Sequence, residues 1–137
     1  MAQRNPTSLR RADGTLALRL AEALRAISPL QVTVITVKID KHRQVAGSVE
    51  LSSPGEDFTG KVVVLVDDVL NSGKTLHYAM KPFLQIDIRK LRTVVLVDRN
   101  HRRFPITADF SGMTLATTLK EHITVEEVNG ELEAFIE

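Results

Sequence analysis

The stretch from residue 62 to residue 75, VVVLVDDVLNSGKT, constrains the fold of this chain more than any other feature. It opens with four valines and a leucine, and such a run is typical of a strand that is buried on both faces of a parallel sheet. Two acids, Asp67 and Asp68, follow, and a small-residue loop then leads to a helical pattern from Lys74 onward. Because open α/β sheets bind ligands beyond the carboxyl ends of their strands, we expect a binding site here.

The chemistry of this stretch points to a sugar phosphate. Gly73-Lys74-Thr75 matches the end of the nucleoside-triphosphate loop G-x-x-x-x-G-K-[ST], but residue 68 is Asp68 where that motif requires a glycine. A carboxylate there would repel a triphosphate. Carboxylates can instead accept hydrogen bonds from ribose hydroxyls, directly or through Mg²⁺, while backbone N–H groups of the loop bind a phosphate. An ordinary buried strand with a polar turn is the alternative.

Two stretches resemble one enzyme family. VVVLVDDVLNSGKT resembles the phosphoribosyl-pyrophosphate (PRPP) binding motif of type I phosphoribosyltransferases, which has a hydrophobic strand, two acids and a TG- or SG-type loop. VLVDRNHRRFPI, at residues 95–106, resembles the LVDRGHRELPI-type segment of the PyrR family, which are uracil phosphoribosyltransferases that can also regulate the pyrimidine operon. The similarity covers roughly residues 61–128, and it extends more weakly over residues 15–40.

The resemblance implies transfer of the 5-phosphoribosyl group from PRPP to a nucleobase, with uracil favoured, and release of pyrophosphate. Asp67 and Asp68 would hold the ribose side, through a Mg²⁺ cofactor that PRPP carries, and would support the positive charge that develops at C1′. The chemistry would rest on positioning and electrostatics, without a covalent enzyme intermediate. The residues implied to bind PRPP and its 5′-phosphate are Val69, Leu70, Asn71, Ser72, Gly73, Lys74 and Thr75.

A second loop follows the strand predicted at residues 93–97, and right-handed crossovers would place it beside the first. The resemblance implies that this loop binds the nucleobase and part of the pyrophosphate. Arg99, the third predicted catalytic residue, and Arg102 would meet a phosphate or the leaving group, because a guanidinium is planar and always charged. Asp98 and His101 belong to the same loop. For His101 the alternative is that it holds backbone carbonyls, and Arg103 is expected to face solvent.

The remaining periodicity predicts an α/β fold: a mostly parallel sheet flanked by helices, with a C-terminal β-hairpin. Asn129-Gly130 is the turn signal of that hairpin. The other predicted elements are a helix at residues 15–27, a strand at 31–39, a weak ribbon around Val45, Val49 and Leu51, and a helix from residue 74 to residue 84 with a kink or stop at Pro82.

The N-terminal residues depart from the family pattern. Residues 1–14 are polar, and we predict a loop or frayed terminus. Members of the family carry a helix and a first core strand before their pyrophosphate loop, for which Leu9 to Gly14 is the candidate here. We therefore expect one domain, residues 1–137, that lacks this helix and strand. The open sheet edge would lead to a homo-oligomer or to marginal stability, with low or absent transferase activity.

A long polar segment, Asp40 to Gly60, precedes the acidic strand. In the family a mobile loop at this place closes over PRPP, which would exclude water from the reacting centre. Lys41, His42 and Arg43 stand at the start of this segment and could reach pyrophosphate. A solvated basic cluster is an equally good interpretation of these three residues.

Composition bounds the remaining classes of function. The chain has no Cys, which fits a cytoplasmic protein without thiol chemistry. No apolar run approaches the ~20 residues of a membrane span, so no membrane partner is expected. A net charge of +1 and an aromatic content of 4% disfavour RNA as a partner. An RNA-binding regulator and a non-catalytic nucleotide sensor are the alternatives to an enzyme.

Overall fold

The computed structural model describes residues 2–4, 14–39, 49–53 and 55–137. The elements in chain order are β1 (Ala2–Arg4), α1 (Thr15–Ile27), β2 (Ile35–Ile39), β3 (Val49–Leu51), β4 (Val62–Leu70), α2 (Lys74–Ala79), a 3₁₀ turn (Lys81–Phe83), β5 (Lys90–Asp98), β6 (Phe110–Thr114), β7 (Ile123–Val128) and β8 (Glu131–Ile136). None of the helices in these ranges has the length and apolar character needed to cross a bilayer.

Within the described residues, six strands form one sheet in the order β3-β2-β1-β4-β5-β6. All neighbouring strands are parallel except β2 and β3, which are antiparallel. Strands β7 and β8 form a separate antiparallel hairpin. The predicted α/β fold with a mostly parallel sheet and a C-terminal hairpin is therefore confirmed. The strand order reverses between β1 and β4, and such a switch point is where sheets of this kind bind ligands.

Strand β4 carries the apolar run into the core. Val63 and Leu65 pack in one hydrophobic cluster with Leu76 and Phe83, which lie on α2 and the turn after it. This packing fixes the direction in which the chain leaves β4. The strand is longer than predicted: it pairs with β5 as far as Leu70, so the two acids lie inside the strand rather than after it.

Helix α1 has the predicted bounds, whereas α2 is shorter than predicted. It ends at Ala79, and Pro82 lies in the 3₁₀ turn that follows. Proline lacks a backbone N–H and clashes with the preceding turn of an α-helix, which accounts for the predicted stop. With six residues, α2 has a small dipole, so an anion at its start would depend on individual N–H groups.

The strand predictions are correct in kind and differ at their ends. Strand β2 begins at Ile35 instead of residue 31, and β5 extends the predicted 93–97 at both ends. Strand β6 was not predicted, because its five residues are exposed and carry no alternation of apolar and polar side chains. The hairpin turn has the expected positive φ angles, 51° at Asn129 and 80° at Gly130.

The N-terminal prediction is wrong at residues 2–4, which form β1 instead of a loop. Ala2 pairs with Ile35 of β2 on one side and with Leu65 of β4 on the other. Polar side chains gave no strand signal, since the strand is specified by the backbone groups of its two neighbours. A strand therefore does precede residues 9–14. The candidate pyrophosphate residues 9–13, and the segment 40–48 with Lys41, His42 and Arg43, lie outside the described residues.

Candidate functional site

The two acids of β4 differ in their surroundings. Asp67 is 5% exposed, and its Oδ1 accepts a hydrogen bond from the Asp68 N–H at 2.9 Å. Asp68 is half-buried, and its Oδ1 accepts the Val69 N–H at 2.8 Å. Each carboxylate is thus oriented by the next backbone amide. A ligand can reach the Asp68 carboxylate from solvent, whereas the buried Asp67 carboxylate holds the backbone N–H of Asp68.

The loop after β4 turns on a glycine. Gly73 has a φ of 86° and precedes the first residue of α2, where its carbonyl accepts the His77 N–H at 2.9 Å. The Lys74 N–H is held by Ser72 Oγ at 3.2 Å. A Cβ at residue 73 would overlap Cγ2 of Ile106 and lie 3.4 Å from the Phe104 carbonyl oxygen. Both the backbone angle and the close approach require glycine here.

The second loop packs directly on the first, as the parallel topology predicts. The Ser72 carbonyl accepts hydrogen bonds from the backbone N–H groups of Arg103, at 2.8 Å, and Phe104, at 3.0 Å. Where β4 and β5 end, the backbone N–H of Arg99 also donates to the Leu70 carbonyl at 2.9 Å. Residues 71–75, the phosphate loop, and residues 98–106, the base loop, therefore form one continuous structure at the carboxyl edge of the sheet.

Arg99 does not occupy the position predicted for it. The residue is 4% exposed, and its guanidinium donates to Asn71 Oδ1 at 3.1 Å and to Thr117 Oγ1 at 2.5 Å. It also donates to the carbonyls of Thr118, at 2.7 Å, and Glu121. Four hydrogen bonds within the protein occupy most of its five N–H donors. A direct contact with phosphate or pyrophosphate is therefore not what this geometry supports.

Arg102 joins the base loop to the phosphate loop. It donates to the Asn71 carbonyl at 3.1 Å, and it forms an ion pair with Asp98 at 2.6 Å. Its Nε is buried and has no hydrogen-bond partner among the described residues. Asp98 also accepts the N–H of Asn100, whose φ is 64°. Arg102 and Asp98 thus shape the loop, and the guanidinium retains donor capacity toward the site.

The contact of His101 agrees with the alternative interpretation, in which this side chain holds a backbone carbonyl. Its Nε2 lies 2.7 Å from the carbonyl oxygen of Thr117, so Nε2 carries the proton and donates it. Arg103 is exposed, as predicted. The segment 115–121, which these contacts reach, was not predicted to be part of the site. Its similarity to the family around Leu115–Thr118 was visible, but nothing in the sequence showed that Arg99 and His101 would both bind it.

The acids fit Mg²⁺ only in combination with a ligand. Among the described residues, no group of three or more His, Cys, Asp or Glu side chains is arranged to hold a metal ion. Mg²⁺ in proteins is commonly held by one or two carboxylates together with phosphate oxygens and water. The pair Asp67 and Asp68 supplies such carboxylates. The site therefore suits a Mg²⁺ that arrives with a polyphosphate.

Comparison with known proteins agrees with this geometry. Residues 14–129 match the family model described as the phosphoribosyl transferase domain. The chain is similar to the bifunctional protein PyrR of Microcystis aeruginosa, with 33% identity over 84% of this chain and 70% of the relative. The bifunctional protein PyrR of Streptomyces coelicolor is 37% identical over 81% of this chain and 61% of the relative. The chain thus spans between 61% and 70% of the length of these two relatives.

Solved structures show the same fold. Hypoxanthine phosphoribosyltransferase of Trypanosoma cruzi superposes with a TM-score of 0.67 at 19% identity, over 89% of this chain and 62% of that one. A hypoxanthine-guanine phosphoribosyltransferase of Bacillus anthracis gives a TM-score of 0.60 at 23% identity, over 84% of this chain and 63% of that one. The family match covers most of the chain, and the strand, acids and loop that it rests on are present in the structure. The chain therefore belongs to the phosphoribosyltransferase domain family.

Proposed function

We propose that this protein transfers the 5-phosphoribosyl group of PRPP to a pyrimidine base, with uracil favoured, and releases pyrophosphate. The observation that carries the proposal is the packing of the base loop on the phosphate loop through the Ser72 carbonyl. It brings a candidate sugar-phosphate site and a candidate base site to one sheet edge. Such a reaction needs its two substrates in contact and aligned more than it needs a reactive side chain.

The phosphate loop is the proposed site of the 5′-phosphate. The first N–H groups of α2 follow Gly73 directly, and the Lys74 N–H would exchange its bond to Ser72 Oγ for one to the phosphate. Residue 73 has no side chain, and Ile106 fills the space that one would need, which holds the start of α2 against the base loop. Lys74 is exposed and adds a positive charge at the same place. The loop thus offers amide donors and a cation to a phosphate group.

Asp68 is the proposed contact for the ribose hydroxyls. Its carboxylate is accessible and oriented by the Val69 N–H, so it can accept hydrogen bonds or neutralise charge at C1′ as the bond to pyrophosphate breaks. Mg²⁺, when bound with PRPP, supplies charge neutralisation of the pyrophosphate. Asp68 and Asp67 would hold it from the ribose side. Asp67 is buried, so its main task is to fix the strand end and support Asp68.

The base loop is the proposed site of the nucleobase. A pyrimidine edge carries both donors and acceptors, which groups of the base loop would have to match. The uracil assignment rests on the similarity to bifunctional PyrR proteins and on the LVDR-type segment. The missing-strand argument for low activity no longer holds, because β1 pairs on both sides. We therefore expect turnover.

A panel of bases tests the proposal. The protein is incubated with PRPP, Mg²⁺ and uracil, cytosine, hypoxanthine, guanine or adenine, and pyrophosphate release is measured. We expect release to depend on uracil and to fall in Asp68→Asn, whereas Arg89→Met, which changes an exposed arginine just before β5 and outside both loops, should retain it. Tight PRPP binding without release for any base would instead support the non-catalytic sensor.

RNA binding is a second candidate, favoured by the similarity to proteins that are named bifunctional. In the described residues, two arginines of α1 are engaged within the protein: Arg19 donates to the Gly130 carbonyl and Arg25 to that of Val32. Both side chains remain exposed and charged, so they could still contact RNA phosphates. A mobility-shift titration with pyrimidine leader RNA, against a scrambled RNA of equal length, tests this function separately from transfer.

A further inference from the structure

We propose that Arg99 is a positioning residue that couples the two halves of the site, by joining the phosphate loop to the segment 115–121. This inference rests on the proposed function, since the halves are those assigned there to the 5′-phosphate and to the base. It gives Arg99 a task in substrate binding that involves no contact with substrate. It also makes the segment 115–121 a wall of the base half.

The contacts of Arg99 extend in two directions. On one side the guanidinium donates to Asn71 Oδ1, in the phosphate loop, at 3.1 Å. On the other side it donates to Thr117 Oγ1 at 2.5 Å and to the carbonyl oxygens of Thr118 and Glu121. The partners lie 28 residues before and 18 to 22 residues after Arg99 in sequence. One buried side chain thus fixes two segments that are far apart in the chain.

Neighbouring residues share only parts of this arrangement. Arg102 binds the Asn71 carbonyl, and its other hydrogen bond among the described residues is to Asp98, not to the segment 115–121. His101 binds the Thr117 carbonyl and does not reach the phosphate loop. Within the described residues, Arg99 is therefore the side chain of the base loop that hydrogen-bonds to both sides at once.

The contacts use the shape of the guanidinium. Its five N–H donors lie in one plane at fixed angles, so a shift of Asn71 changes the direction available to the other acceptors. A lysine would keep the charge but could not donate in this fixed plane. Because Arg99 is 4% exposed, its unpaired donors cannot be satisfied by bulk water if one partner moves. The two segments should consequently favour one joint arrangement.

This coupling has a measurable consequence. A ligand that contacts only the phosphate half, such as ribose 5-phosphate, needs the phosphate loop alone. A ligand that spans both halves, such as uridine 5′-monophosphate, also needs the segment 115–121 in place. Loss of the link should therefore weaken the second ligand more than the first, because coupling between sites appears as a difference between affinities.

The experiment compares dissociation constants of these two probes by calorimetry for wild type, Arg99→Met, Arg99→Lys and the surface control Arg89→Met, which lies outside both loops. We expect the preference for uridine 5′-monophosphate over ribose 5-phosphate to fall about tenfold in both Arg99 variants, in the range typical of site coupling. Arg89→Met should keep the wild-type ratio. Recovery of the ratio in Arg99→Lys would show that charge alone matters and would overturn the inference.

Other outcomes are equally decisive. Equal weakening of both probes would mean that Arg99 only maintains the fold, and the coupling role would be withdrawn. If the wild-type protein binds neither probe, the proposed function is wrong, and the coupling inference that rests on it falls as well. If Arg99→Met does not fold, Thr117→Val removes one acceptor without changing size; we expect its ratio to fall about fivefold, with a lower melting temperature because one donor of the buried Arg99 loses its partner. An unchanged ratio in a folded Thr117→Val would contradict the coupling.

Discussion

Ile106 occupies the space that a side chain on Gly73 would need: a Cβ on Gly73 would overlap Cγ2 of this buried isoleucine. The contact places the start of α2 directly against the base loop. It explains why the phosphate loop and the base loop hold a single relative position. A change at either residue should therefore affect both loops.

Gly73→Ala tests this packing. The alanine would adopt an unfavourable φ near 86° and would also push Ile106 away, so we expect a loss of stability of about 2–4 kcal/mol. Binding of ribose 5-phosphate should be lost as the amides turn away. Gly60→Ala is the matched control, because Gly60 has a φ of 71° with nothing within 4 Å of the added Cβ. Equal stability losses in the two variants would refute the packing argument.

Asp68→Asn tests the ribose contact. The substitution keeps the shape of the side chain and removes its charge, so we expect PRPP–Mg²⁺ binding to weaken by roughly 1–3 kcal/mol while the fold is retained. Isothermal titration gives the affinity, and circular dichroism checks the fold. Asp87→Asn, which changes an exposed acid, is the control. An unchanged affinity for PRPP would remove Asp68 from the site.

Thr93→Val tests the anchor of the segment that follows the base loop. The buried Thr93 hydroxyl donates to the Thr107 carbonyl at 2.8 Å and accepts the Asp109 N–H at 3.0 Å. Valine removes the donor to the Thr107 carbonyl, while the Asp109 N–H keeps its bond to the Thr93 carbonyl at 3.0 Å. The free energy of unfolding should therefore fall by about 1–3 kcal/mol in urea titrations. The exposed Thr114→Val should change it by less than about 0.5 kcal/mol. Similar values for both variants would contradict this account.

The sequence was sufficient where a local pattern determines the structure. The valine run of β4, the periodicity of α1 and the Asn129-Gly130 turn each specify one element with their own residues. The same holds for the order of strand, acids and loop. These features specify the fold class and predict which part of the chain forms the site.

The sequence was not sufficient to predict structure that depends on contacts between segments far apart in the chain. Residues 2–4 have no strand pattern, and they form β1 because β2 and β4 offer backbone partners on both sides. For Arg99 the resemblance implied a contact with a phosphate or the leaving group, and nothing in the sequence indicated its partners at residues 117–121. Neither outcome can be derived from residues close in sequence.

The central claim is tested most directly by formation of uridine 5′-monophosphate from PRPP and uracil in the presence of Mg²⁺. The account predicts product formation by the 137-residue chain, with a rate about 5- to 100-fold lower in Asp68→Asn, since 1.4 kcal/mol corresponds to a factor of ten and the expected loss is roughly 1–3 kcal/mol. Failure of a folded protein that binds ribose 5-phosphate to form any nucleotide from PRPP and a base would contradict it.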